Sequence, residues 1–222
     1  MRRFFVWTEL ALLVGAAALS QTFSLETTDG LKPHQVVAAP VVHKGLKGVR
    51  VTEAPGATGN EEPILLLPVK DFENGTIEAE ISGEPATAAG QGARGFVGIA
   101  FRIADVPTKY DAFYLRPTNG RADDQVRRNH STQYISHPAW TWNRLRTEEP
   151  KKYESYVDLV PGEWTRVRIE VDGVKARLFV HGAPQPVLIV NDMKQGSSKG
   201  QVGLWIGPGT IGHFRNVKVT KK

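Results

Sequence analysis

The stretch Trp164-Thr-Arg-Val-Arg-Ile-Glu-Val-Asp-Gly-Val-Lys-Ala-Arg-Leu-Phe-Val180 decides the architecture. Val167, Ile169 and Val171 alternate with Arg166, Arg168 and Glu170, the period-two signature of a half-buried strand. Asp172-Gly173 follows, the dipeptide that favours the tight turns of β-hairpins. Beyond it Val174, Ala176, Leu178 and Val180 resume the apolar series, with Lys175 and Arg177 on the opposite side. One hairpin with one greasy face needs another layer to cover it.

Working outward, the same pattern returns along most of the chain. Strands are expected at Gly48–Glu53, Pro63–Pro68, Gly75–Ser82, Gly95–Ile103, Tyr110–Arg116, Glu154–Leu159, Trp164–Asp172, Val174–His181, Pro186–Val190, Gln201–Ile206 and Gly212–Val219. Turn residues separate many of them, among them Asn74-Gly75, Pro161-Gly162, His181-Gly182 and Pro208-Gly209. In Gly95–Ile103 the residues Val97, Ile99, Phe101 and Ile103 share a face, and in the next run Phe113 and Leu115 do. Phe214 and Val217 fall out of phase, which predicts a β-bulge near Arg215–Asn216. No segment carries a helical stripe of useful length. Many strands with one apolar face each specify an all-β, two-sheet antiparallel β-sandwich.

The chain has 222 residues, no cysteine and a formal charge of +5. A chain of this length buries roughly 70% of its unfolded surface, enough to fold without disulfides or a metal. Arg2-Arg3 ahead of the apolar run Leu10–Leu19, then Ala18-Leu19-Ser20, reads as a signal peptide over residues 1–20, with cleavage expected near Ser20–Gln21. Residues 21–45 form a lead-in with one short edge strand around Gln35–Val37, and 46–222 form the sandwich. The expected setting is periplasmic or extracellular, with membrane contact only through the signal segment. Loss of Arg2, Arg3 and Glu9 lowers the charge only to +4, and acidic residues are interspersed among the basic ones. Nucleic-acid binding would show a basic stripe of one sign, so it is excluded as a partner class.

Three segments carry a family resemblance. Phe72-Glu-Asn-Gly-Thr-Ile-Glu-Ala-Glu-Ile81, Gly95-Phe-Val-Gly-Ile-Ala-Phe-Arg102 and the ending Gly200-Gln-Val-Gly-Leu-Trp205 with His213-Phe-Arg-Asn-Val-Lys-Val219 resemble concanavalin A-like lectin/glucanase jelly rolls. The ending is also similar to laminin-G-like domains and to bacterial 3-keto-disaccharide hydrolase-type domains. The resemblance implies a jelly-roll sandwich and a carbohydrate-related role, with a site on the concave sheet or its rim loops. Glucanases of this fold place a Glu-x-Asp-x-Glu triplet on one strand. Here Glu78 and Glu80 alternate with no aspartate beside them, so that mechanism is not expected.

The segment 117–150 has no clear period, yet holds Tyr134, Trp140 and Trp142. A long loop in a compact domain is functional or disordered, and disorder comes with few aromatics. It is therefore the expected recognition surface. Trp140 and Trp142, spaced i and i+2, with Tyr134 and Tyr114, would offer flat faces for sugar C–H surfaces. Arg102, Arg116, Arg121 and Arg128, with Asp123, would supply polar contacts; guanidinium forks suit carboxylates, acidic sugars included. For catalysis Asp124, His130 and Glu154 are the candidate acids and bases. His130, His137 and His181 lack zinc-type spacing, and Asn119, Asp123 and Asp124 sit in no calcium-loop pattern, so no metal or cofactor is expected. The leading expectation is an exported, lectin-like carbohydrate-binding protein. A glycoside hydrolase using the loop carboxylates is the alternative, and a laminin-G-like adhesion module the third reading.

Overall fold

The computed structural model describes residues 19–57 and 63–222. The expected signal segment, residues 1–20, lies outside the described residues apart from Leu19 and Ser20, which open a strand. The strands are β1 (Leu19–Phe23), β2 (Lys32–His34), β3 (Val36–His43), β4 (Leu46–Glu53), β5 (Ile64–Leu66), β6 (Gly75–Pro85), β7 (Val97–Ile103), β8 (Tyr110–Leu115), β9 (Thr132–His137), β10 (Glu154–Ser155), β11 (Thr165–Asp172), β12 (Lys175–Val180), β13 (Leu188–Val190), β14 (Gln201–Ile206) and β15 (Thr210–Lys221). Among the described residues three short helices, α1 (Pro117–Gly120), α2 (Gln125–Asn129) and α3 (Trp142–Glu148), interrupt them.

Two antiparallel sheets form. An eight-stranded sheet runs β13-β12-β11-β6-β15-β4-β3, with β1 added against β15, and a seven-stranded sheet runs β10-β9-β8-β7-β14-β5-β2. The two inner faces meet in one core. Ile77, Ile81, Val167, Ile169, Val171, Leu178 and Phe214 come from the first sheet, and Val97, Ile99, Phe101, Phe113 and Leu204 from the second, all at most 5% exposed. The hairpin that decided the architecture pairs Asp172 with Lys175 across Gly173, whose φ of 57° suits a residue without Cβ. Val174, expected in the core, sits in that turn and is 41% exposed. The predicted bulge is present: the β15–β6 register shifts between Arg215 and Lys218, and Asn216 takes a φ of 49°.

Four expectations change. The lead-in contributes three strands rather than one, because β1 and β3 complete the first sheet and β2 extends the second. The expected strand Glu154–Leu159 shortens to two residues pairing with β9. The 117–150 segment is a chain of regular elements: three helical turns and the full strand β9. Alternation failed to reveal β9 because both its faces are covered, so Gln133 and Ser136 are as buried as Tyr134 and Ile135. Arg102, expected to supply a polar contact to ligand, is 2% exposed. Its φ of 54° breaks the alternation, and its guanidinium donates to the carbonyls of Glu73, Gly173 and Gly196 at 2.7–2.9 Å. It ties the second sheet to turns of the first.

Candidate functional site

The outer face of the second sheet is where the 117–150 elements gather. Gly98 leaves room for Tyr114 on the neighbouring strand: a Cβ there would lie 2.6 Å from the Tyr114 Cβ and 2.2 Å from the Phe113 carbonyl oxygen. The Tyr114 ring packs beside Trp205, with centroids 4.7 Å apart, and edge-on to Phe96 at 6.1 Å. Its hydroxyl accepts from Arg116 Nη2 at 2.8 Å. Arg116 Nη2 also donates to Gln133 Oε1 at 3.0 Å, and Nη1 donates to the His130 carbonyl at 3.1 Å. Arg116 is therefore fixed by the sheet and by the α2–β9 connection together.

The counter-charge is Glu154 on the edge strand β10, 8% exposed. Its Oε1 accepts from Arg116 Nη1 at 3.2 Å and from Arg146 Nη2; its Oε2 accepts from Arg146 Nε at 3.1 Å and faces His130 Nε2 at 3.4 Å. Two guanidiniums thus share one carboxylate. The His130 imidazole is held below its ordinary pKa, by burial first and by Arg146 and Arg116 after it, against the opposing pull of Glu154.

Above this network lies a cleft of about 350 Å³, lined by Gly92, Arg94, Phe96, Arg116, Asn119, Arg127, His130, Trp142 and Arg146. Of its four guanidiniums, Arg116 and Arg146 are matched by Glu154, while Arg94 and Arg127 face no carboxylate in the lining. Arg94 is pushed below its usual range by burial and by the neighbouring charges of Arg127 and Arg116. Arg127 Nε is buried without a hydrogen-bond partner. Such a surplus of oriented donors suits an anion. Trp142 is 45% exposed, with the Arg146 guanidinium 4.8 Å from its ring centroid. It is a flat apolar wall beside the charge. A second hollow of about 360 Å³ adjoins, lined by Val126, Asn129, His130, Lys151, Glu154, Ser155 and Tyr156. Glu154 is the only carboxylate lining either hollow among the described residues.

The structure brings Tyr114, Arg116, His130, Trp142 and Glu154 together out of the residues singled out in the sequence. Others stand apart. Asp124 caps α2, its Oδ1 accepting from the amides of Val126 and Arg127 at 2.9 and 3.1 Å. Asp123 is exposed. Arg121 pairs in bidentate fashion with exposed Asp158 at 2.8 Å, and Arg128 donates to the Tyr156 hydroxyl at 2.8 Å. Tyr134 is fully buried, its hydroxyl donating to Asp111 Oδ1 at 2.7 Å and accepting from the Lys194 amide at 2.8 Å. Trp140 packs on the core with Arg144 3.8 Å and Lys194 4.6 Å from its ring centroid. It does not share a platform with Trp142, because α3 begins at Trp142 and ends the extended stretch.

Sequence reasoning missed Arg94, Phe96 and Arg146. A signal existed for Arg146: it stands four residues after Trp142, the spacing that aligns side chains on a helix.

No family model matches the chain, and no curated protein does. Among solved structures it is similar to a carbohydrate-binding module, CBM66, from Bacillus subtilis, at 14% identity and a TM-score of 0.58, covering 86% of this chain and 95% of that one. A Bacillus subtilis protein of unknown function with a galectin-like fold aligns at 10% identity and a TM-score of 0.60, covering 93% and 98%. A Parabacteroides distasonis protein named as a candidate glycosyl hydrolase aligns at 11% identity and a TM-score of 0.54, covering 91% and 100%. Likeness at such identities speaks to architecture alone. The chain has the concanavalin A-like, galectin-like β-sandwich fold.

Proposed function

We propose that this protein binds carbohydrate in the cleft bordered by Arg94, Arg116, Arg127, Trp142 and Arg146, and that the sugar it takes carries negative charge. The observation that carries the reading is the pairing of an exposed indole with four guanidiniums in one cleft lining that holds no carboxylate of its own. Trp142 would stack on the C–H face of a pyranose ring, while the Arg94 and Arg127 guanidiniums in the cleft lining would take a carboxylate or sulfate. The similar fold of a carbohydrate-binding module supports the sugar-binding half of this reading. The basic N-terminal residues and the Leu10–Leu19 run support an exported setting, periplasmic or extracellular.

Binding without hydrolysis is the favoured form. Retaining and inverting glycosidases commonly use two carboxyl groups, about 5–5.5 Å or 6.5–9.5 Å apart. Among the described residues Glu154 has no second carboxylate with it in either hollow, and it is engaged by two arginines. Calorimetry with oligogalacturonate and with a neutral oligosaccharide of equal length tests the proposal. Saturable binding of the first, weakened by Arg127→Ala and Trp142→Ala, is expected; equal or absent binding of both would overturn it.

A further inference from the structure

A second polar cluster lies on the opposite side of the sandwich, on the outer face of the eight-stranded sheet. His213 on β15 stands cross-strand from Ser82, Glu84 lies two residues further along β6, and His43 ends β3. One potential ligand atom from each of His43, Glu84 and His213 falls within 4.8 Å of the others. Trp164 closes one side, its ring 5.4 Å from His43 and 6.3 Å from His213.

We propose that His43, Glu84 and His213 form a binding site for a divalent transition ion of the zinc type. His213 is 4% exposed, and its Nδ1 is buried with no hydrogen-bond partner. A buried ring nitrogen left without a partner, on a residue grouped with two other ligand-bearing side chains, lacks what an ion would supply. His43 Nε2 donates to the Gly162 carbonyl at 2.7 Å, which leaves Nδ1 as the lone-pair nitrogen of that ring. This is the outer-shell bond that sets the tautomer of a metal-ligating histidine. Two imidazoles with one carboxylate suit zinc, with a position left for water, whereas calcium and magnesium prefer all-oxygen shells. Arg50, cross-strand from His213 on β4, opposes a cation, and Glu84 supplies the compensating charge.

Occupation requires a movement. The two imidazole planes are within 9° of parallel, with centroids 3.8 Å apart, so one ion cannot lie in both planes at once. His43, only partly buried at the end of its strand, is the ring that turns. The ion would then clip the edge strand β3 to β6 and β15.

The test is titration of zinc chloride into the purified chain by calorimetry, followed by anomalous scattering at the zinc edge from a zinc-soaked crystal. The expected result is one zinc per chain at this cluster and a melting temperature that rises with zinc. Affinity should fall tenfold or more in both Glu84→Gln and His43→Ala. These two variants alter partly exposed positions, so the test stands even if His213→Ala does not fold. No saturable binding up to millimolar zinc, or wild-type affinity in both variants, would overturn the proposal. Sugar binding at the other sheet should be unchanged in both variants, so the two sites fail or succeed separately.

Discussion

Arg116 Nη1 lies 3.2 Å from Glu154 Oε1, with the two side chains 5% and 4% exposed, and this buried pair joins the last strand of the sheet to the floor of the cleft. Desolvating two charges is costly, and only the further bonds to Tyr114, Gln133 and Arg146 make the arrangement tolerable. Removing one member leaves the others buried and uncompensated. Glu154→Ala should therefore cost about 3–5 kcal/mol of stability. In a double-mutant cycle with Arg116→Ala, urea denaturation should give a combined loss well short of additive.

Trp142 and Arg127 should behave differently. The Trp142 ring is 45% exposed, so Trp142→Ala should change stability by no more than about 0.5 kcal/mol. It should nonetheless weaken binding of an anionic oligosaccharide by roughly 2 kcal/mol, the scale of an anchoring aromatic. Arg127→Ala should weaken binding and flatten its dependence on salt, because screening acts on the charge that it removes. Calorimetry at two ionic strengths measures both effects.

Arg102 provides a contrast within the same residue type. Its guanidinium is satisfied by carbonyls of three separate turns and is 2% exposed. Arg102→Lys cannot reproduce that fork and should cost more than about 2 kcal/mol. Thermal unfolding should show the loss, while the affinity of the folded fraction for sugar stays unchanged.

Asp111 should tilt the pH dependence of stability. Burial raises its pKa above the usual carboxylate range, outweighing the Tyr134 and Ser136 hydrogen bonds and the Arg102 charge. Between the unfolded and the folded pKa the native state holds a proton that the unfolded chain has released, so this group's contribution falls as pH rises through that window. Asp111→Asn keeps an acceptor for the Tyr134 hydroxyl and removes the titration. Denaturation midpoints across pH 3 to 8 should fall less steeply with rising pH, or rise more steeply, in the variant than in the wild type.

The two-layer architecture was written in the order of residues. Period-two alternation in Thr165–Asp172 and Lys175–Val180, with Asp172-Gly173 between them, depends only on neighbours along the chain, and so did the bulge at Arg215–Asn216. Such local patterns survive because a strand with one wet face must alternate. Where both faces are covered, as in β9, buried polar residues such as Gln133, bonded to Arg116 and to the Tyr153 carbonyl, erase the pattern. The site followed the same division. Aromatic and arginine enrichment drew attention to a segment that lines the cleft, and Arg116, His130, Trp142 and Glu154 were legible as candidates. Their grouping was not. Arg94, Arg116, Arg146 and Glu154 meet because antiparallel pairing of β8, β9 and β10 and the turn into α3 bring distant positions together. Arg102, Tyr134 and Trp140 carry equally suitable chemistry but spend it on packing. Composition tells which groups a chain owns; only folding decides which of them already have partners, and that decides what is left to bind.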